Sequence, residues 1–309
     1  MMKISPPLMR WIATQQNNYP LMGMLTFGMP KLFLKSIYAH NAEDKLNWNG
    51  RRSCVTLSFD CDYPEDIEAI PDLLKLLKPY PYKTSFACVG YWIEKYPKEH
   101  AMILEHGHEI MNHTQTHPDN DILTPGRKFK RISRDEKMAE ISQCHEVCRK
   151  VLGYAPKGLR IPHFKHLFTD EIYGLLKEMG YLYSSSTWVT GTTTYGRPFH
   201  AEHGIVEFPL SNCPLHPFTV FDTWHSLNAQ RLSHRIVHRG PESYCDLFND
   251  LLTWGDTTGS YINVYMDPLD MKKIGNFKTI LDRLAHEETF WVATYEEILR
   301  ELPFGSAHV

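Results

Sequence analysis

Two short stretches about fifty residues apart carry side chains that can do chemistry together. Leu57-Ser58-Phe59-Asp60-Cys61-Asp62 sets two carboxylates two residues apart, which puts them on one face of an extended segment. Asn112-His113-Thr114-Gln115-Thr116-His117 sets two imidazoles four apart, a spacing from which both reach one ion. One Asp and two His make a three-ligand set with room left for water, and the second Asp is placed to act as a base. That is the smallest kit for metal-assisted hydrolysis. Taken singly, the same residues have plainer readings. Asp60 and Asp62 can cap a helix starting near Pro64, and His113 and His117 can be polar turn residues.

The elements that must hold these groups follow from periodicity. β-rich or apolar runs predict strands over 53–59, 83–89, 108–112, 158–161, 181–186, 205–210, 261–265 and 290–293. Between them, helical spacing predicts helices over 67–77, 94–105, 135–151, 170–179, 242–252, 272–286 and 295–301. Strand and helix alternate throughout, which argues for an α/β fold with a parallel sheet, closed or nearly closed. Asp60, Asp62, His113, Arg160 and Asp267 all fall just past strand ends, on the face where such barrels build their sites.

Residues 1–50 show no such alternation and read as an extension before a domain spanning 51–305. Within it, residues 19–38 are rich in Met, Leu and Phe and carry Lys31 and Lys35. The segment either packs on the main domain or rests on a membrane surface. No secretory signal and no apolar run of about 18 residues stand out, so a cytoplasmic protein, peripheral to a membrane at most, is expected. The net charge of -3 argues against nucleic acid as a partner. Seven cysteines without a CxxC pair read as buried free thiols. Cys144 and Cys148, four apart, lack a second ligand pair nearby. His234 and His238 repeat the four-residue spacing without a carboxylate partner, among Arg231, Arg235 and Arg239, and read as a solvated basic face.

The runs TLSFDCD, KTSFACVG, HEIMNHTQTHP and LRIP resemble the polysaccharide deacetylases, metal-dependent carbohydrate esterases with a NodB-type domain. The likeness covers Ser53 to Ser186 well and IVEFPLS and FWVATYEEI more weakly. It implies a distorted, incomplete (β/α) barrel of about seven strands. It also implies Asp60 as catalytic base and Asp62, His113 and His117 as metal ligands. Arg160 and Pro162 match a third motif, whose Arg orients the base. The implied cofactor is a divalent metal, Zn²⁺ first, with Fe²⁺, Co²⁺ and Ni²⁺ accepted by the same donors.

The second half departs from the family pattern. The fourth motif's Asp is absent from Tyr181–Trp188, and Asp267-Pro268 stands where related sequences have His-Pro. A carboxylate donates a proton at neutral pH only if burial raises its pKa. Asp267 in an apolar pocket, Asp60 after taking a proton, or His163 and His166 are the candidate acids. His163 and Trp188 are candidate substrate contacts, with Trp224 as a further stacking surface and Trp254 as core. The implied activity is removal of an N-acetyl group from an acetamido sugar, nucleotide-linked or lipid-linked, in glycan or envelope assembly. Another C–N hydrolase on the same barrel and a degenerate sugar-binding protein stay open as alternatives. The sequence sets no oligomeric state.

Overall fold

The computed structural model describes residues 3–15, 19–43, 46–162, 170–224 and 241–302. The chain opens with three helices: α1 (Pro6–Gln15), α2 (Pro20–Gly28) and α3 (Pro30–Glu43). Each begins at a proline, whose fixed φ suits the first helical turn and whose missing N–H costs nothing there. Most of the described residues before 50 are therefore helical, without the alternation that marks the barrel. α3 buries Phe33, Leu34, Ile37 and Tyr38, and these join one apolar cluster with the barrel residues Val55, Leu57 and Val264. Tyr38 stacks on Trp254 at 5.1 Å, so Trp254 is a packing residue. Asn41 Nδ2 donates to the carbonyl of Tyr195 and to Ser260 Oγ, both at 3.0 Å.

Strand β1 (Ser53–Cys61) is buried along its whole length, as the axis strand of a parallel sheet must be. One edge pairs in parallel with Tyr261–Met266, and the other with Ser85–Cys88 and Phe290–Val292. Its hydroxyls are satisfied in place, Thr56 Oγ1 donating to Ala293 O at 2.9 Å and Ser58 Oγ to Val264 O at 3.1 Å. In chain order the strands are β2 (Ser85–Cys88), β3 (Glu109–Asn112), β4 (Gly158–Leu159), β5 (Tyr183–Ser184), β6 (Phe199–His200) and β7 (Val206–Glu207). A hairpin of β8 (Asn212–Cys213) and β9 (His216–Val220) follows, then β10 (Tyr261–Met266) and β11 (Phe290–Val292).

The main sheet runs β10-β1-β2-β3-β4-β5-β7-β6, with β11 on β1. All its pairings are parallel except β6 with β7. This is the incomplete α/β barrel, with nine strands rather than about seven. Among the described residues no strand ladder closes it. Instead, Ser211 N donates to Asn263 O at 2.8 Å, Asn263 N donates to Ser211 Oγ at 3.0 Å, and the ring shuts at that point.

The helices between strands are α4 (Pro64–Leu77), α5 (Gly90–Lys95), α6 (Pro97–Glu105), α7 (Arg134–Val147), α8 (Asp170–Glu178), α9 (Pro241–Thr258), α10 (Phe277–His286) and α11 (Tyr295–Glu301). The single helix expected over 94–105 is two. Pro97 pushes Tyr96 out of the helical region, to φ -128° and ψ 57°, and breaks the chain of hydrogen bonds. α4 begins at Pro64, and the carboxylate that caps its first turn is Asp66, which accepts from Tyr63 N at 3.1 Å. The capping role considered for Asp60 and Asp62 is filled by Asp66.

At the other end of the barrel from these carboxylates, Glu109 is buried among donors. It accepts from Ser85 Oγ and Tyr183 Oη, both at 2.5 Å, and from Tyr295 N at 3.1 Å. Tyr183 reaches it because its ring lies over Gly158, where a Cβ would sit 1.8 Å from the ring. Burial nonetheless raises the Glu109 pKa from 4.5 to about 7. The native state therefore holds a proton that the unfolded chain releases. The stability cost is absent below pH 4.5, grows as pH rises, and is complete above about pH 7. Glu109→Gln should remove this part of the slope: a plot of unfolding free energy between pH 5 and 8 should fall less steeply in the variant, by about 3 kcal/mol in all. Parallel plots would show that Glu109 ionises equally in both states.

Candidate active site

The sheet register sets the site. Phe59 pairs with Met266 and Cys61 with Cys88, so the carboxylates at the end of β1 lie between the ends of β10 and β2. Asp267 follows Met266 directly. Next along the sheet, β3 ends at Asn112, and His113 N donates to Cys88 O at 3.1 Å.

The segment after β3 is bent to bring both histidines inward. Thr114 (φ 66°) and His117 (φ 49°) take left-handed conformations that non-glycine residues rarely adopt. Three bonds hold this turn: Thr114 N to Asn112 Oδ1 at 2.7 Å, His117 N to Thr114 Oγ1 at 3.1 Å, and Gly90 N to Thr114 O at 3.0 Å. Asn112 is anchored in turn, its Nδ2 donating to Ile141 O at 2.9 Å and to Tyr181 Oη at 2.7 Å. Glu140 of α7 takes both the N–H and the hydroxyl of Thr116.

Asp62, His113 and His117 converge, their donor atoms all within 4.8 Å of one another. His113 Nε2 lies 3.1 Å from Asp62 Oδ1, and His117 Nε2 lies 3.4 Å from Asp62 Oδ2. His113 Nδ1 bonds the carbonyl of Arg160 at 2.7 Å, which fixes the tautomer and leaves Nε2 as the ligating atom. The histidines are buried, while the Asp62 side chain keeps 21% exposure, so the donor set opens to solvent on the carboxylate side. Among the described residues this is the group of His, Cys, Asp and Glu arranged to hold an ion. The donors fit a divalent metal with coordination positions to spare.

Asp60 is buried beside them, its Oδ2 3.9 Å from His113 Nε2. Its other oxygen accepts from Arg160 Nη1 at 2.5 Å. Arg160 is itself fully buried and clamped: Nε to Ser185 O at 3.2 Å, Nη2 to Ser185 Oγ at 3.1 Å and to Tyr295 Oη at 2.7 Å. Burial raises the Asp60 pKa, Arg160 and His113 pull it down, and the Asp62 carboxylate pushes it up again, the balance being upward. Pro162 follows Arg160 and is buried at the strand end. His163 and His166 lie outside the described residues, as do His234 and His238 with their arginines.

Asp267 is held by Thr223, whose hydroxyl accepts from Asp267 N at 2.8 Å and lies 3.3 Å from Oδ2. Burial, then the neighbouring Asp66 and Asp62, pushes its carboxyl well above the ordinary range. Asp66 is raised for the same two reasons, to about 8. Asp222 brings a further carboxylate, accepting from Tyr265 Oη at 2.7 Å, so an acid reaches this region from 222 although 181–188 supplies none. Trp188, expected to face the substrate, is buried at 7% in a core cluster with its ring against Gly191. Its place is a packing one, while Trp224 is 47% exposed beside Thr223.

Sequence reading missed the groups that hold the machinery. Trp92 Nε1 and Asn120 Nδ2 both donate to the Asp62 carbonyl at 2.8 Å, fixing the backbone of the ligand. Tyr295, a long way along the chain, joins Arg160 to Asn263 Oδ1 at 2.8 Å. Tyr295→Phe leaves a buried guanidinium N–H without its partner. It should cost about 1–3 kcal/mol of stability. If Arg160 orients the base, kcat should also fall about tenfold with KM unchanged, and a variant with normal kcat would confine Tyr295 to a structural role.

A parallel α/β barrel, a buried Asp–Arg pair and a converging Asp–His–His cluster are the arrangement that the polysaccharide deacetylase resemblance implies. Residues 48–184 match the polysaccharide deacetylase family model. A peptidoglycan-N-acetylglucosamine deacetylase of Bacillus cereus is 35% identical over 109 residues, 35% of this chain and 36% of that protein. The chain thus spans about a third of the length of that curated relative. A solved structure from Mycobacterium smegmatis bearing the polysaccharide deacetylase name has a TM-score of 0.68 at 19% identity, over 86% of this chain and 97% of the other. A Bacillus anthracis pseudoenzyme of carbohydrate esterase family 4 matches at 0.50 and 16% identity, over 81% and 66%. These two share the fold, and since one is a pseudoenzyme, activity has to be argued from the site residues.

Proposed function

We propose that the protein is a metal-dependent hydrolase that removes the N-acetyl group from an acetamido sugar. The observation that carries this reading is the pairing of Asp60, clamped by a buried arginine, with a separate Asp–His–His donor set beside it. A sugar-binding module has no use for a base and its orienting cation.

Asp62, His113 and His117 would hold the metal, Zn²⁺ being our first choice among the divalent ions these donors accept. When bound, the metal supplies positive charge that polarises the acyl carbonyl and favours ionised carboxylates around it. Asp60, kept in place by Arg160, takes the proton of the attacking water at its carboxylate. The C–N bond breaks as the sugar nitrogen gains a proton, and acetate and a free amine leave. Asp267, whose carboxyl burial pushes above the ordinary range, is our candidate to deliver that proton.

Acetate release should be measured with Zn²⁺, Co²⁺, Ni²⁺ and Fe²⁺ on N-acetylated chito- and peptidoglycan oligosaccharides and on nucleotide- and lipid-linked acetamido sugars. Metal-dependent release with a matching gain of free amine is the expected result. A metal-loaded protein that releases acetate from none of them would overturn the reading. Asp267→Asn should lower kcat about 10²-fold and remove the alkaline limb of the pH profile, since the raised group must keep its proton to act. An unchanged alkaline limb would assign the proton to another donor.

A further inference from the structure

α2 is built inside out for a helix facing water. Its one polar side chain, Thr26, is buried. Leu21 (82% exposed), Met24 (71%) and Leu25 face outward, and Tyr19 and Met29 extend the patch at either end. On α1, Leu8 and Trp11 are exposed in the same way. Contiguous exposed apolar faces of this kind mark a surface that is covered in use.

The charges say what covers it. Lys3, Arg10, Lys31 and Lys35 are the charged residues that precede Glu43, and every one is basic. Arg10, Lys31 and Lys35 are exposed, with Lys31 and Lys35 one turn apart on the outer side of α3. An apolar patch beside exposed Arg10, Lys31 and Lys35 is complementary to an anionic lipid surface, where chains meet the apolar side and headgroups meet the basic one. α2 is about 13 Å long, well short of the thickness of a bilayer core. No described helix is long and apolar enough to cross a membrane, so contact would lie in the plane of the interface.

We infer that α1 and α2, with the basic face of α3, form an interfacial seat on anionic phospholipid. The seat is linked to the proposed site through β9. α2 packs on β9, and the chain leaving β9 supplies Thr223, which holds Asp267.

The test is sedimentation of the 309-residue protein with phosphatidylglycerol–phosphatidylcholine vesicles and with phosphatidylcholine vesicles at 0.1 M salt. The readout is partition, independent of any deacetylase activity. Preferential binding to the anionic vesicles is expected, falling about tenfold or more in Leu21→Glu/Met24→Glu and again in Lys31→Glu/Lys35→Glu. All four positions are exposed, so the variants should fold, as circular dichroism would verify. Removing residues 1–50 is a poorer test because Phe33, Leu34 and Ile37 are core. Absence of binding to anionic vesicles would overturn the inference, and so would equal binding by the variants. A wild-type dimer in light scattering that Leu21→Glu/Met24→Glu turns into a monomer, without vesicle binding, would reassign the face to a second copy of this chain.

Discussion

Asp60→Asn is expected to lower kcat for acetate release about 10³-fold or more while the bound metal stays at its wild-type level. The amide is nearly the same shape as the carboxylate but cannot take a proton from water, and general-base catalysis of this kind contributes about 10²–10⁴-fold. The metal should remain because Asp60 Oδ2 is 3.9 Å from His113 Nε2, whereas Asp62 approaches both histidines more closely. A second consequence separates this variant from a surface change. Arg160 is fully buried, and removing the charge of its partner leaves the guanidinium uncompensated, at a cost of about 3–5 kcal/mol. The variant should therefore melt lower as well as turn over slowly, and rates must be compared well below its midpoint. Substantial activity in folded Asp60→Asn would move the base to another residue and remove the main support for the proposed chemistry.

The pairs that define this site were legible because each is local. Asp60 and Asp62 sit two apart on one strand, His113 and His117 four apart in one turn, and short spacing survives in a string of letters. Arg160 needed the family resemblance, since nothing near it in the sequence says that it will meet Asp60 a hundred residues earlier. The supporting residues were invisible for the same reason. Trp92, Asn120, Glu140 and Tyr295 act through hydrogen bonds between distant elements, and an isolated Trp, Asn, Glu or Tyr has no periodic signature. Their positions become meaningful only once β1, β2, β3 and β4 lie side by side.

The fold followed a similar rule. β1 and β10 announce themselves by length and β-branched or aromatic content; β4, β5 and β7 fall inside expected strands but are only two residues each, and β6, equally short, gave no signal. The expected strand over 181–186 narrows to Tyr183–Ser184 because Ser186 and Thr187 turn their N–H groups to buried Glu207 at 2.7 and 2.9 Å instead of to a neighbouring strand. The N-terminal helices lacked a recognisable stripe for a different reason: α2 exposes what a helix in water would bury, so the usual amphipathic pattern is inverted.

The metal should be lost altogether in His113→Ala. Two ligands from Asp62 and His117 leave a divalent ion with most of its shell to be filled by water, and the affinity of such a site falls by orders of magnitude. Removing an outer partner is milder: Asn120→Ala or Trp92→Phe, each taking one donor from the Asp62 carbonyl, should weaken binding about 10–100-fold. Equilibrium dialysis with Zn²⁺ followed by elemental analysis gives both numbers. Melting provides a check without chemistry, because an ion that binds only the folded chain stabilises it by about 2.7 kcal/mol at a hundred times Kd. Wild type should gain that increment on adding Zn²⁺, Asn120→Ala should need more metal to reach it, and His113→Ala should not respond. One ion per chain retained by His113→Ala would show that the converging Asp62, His113 and His117 are not where the metal sits, and the base at Asp60 would then have no cation beside it.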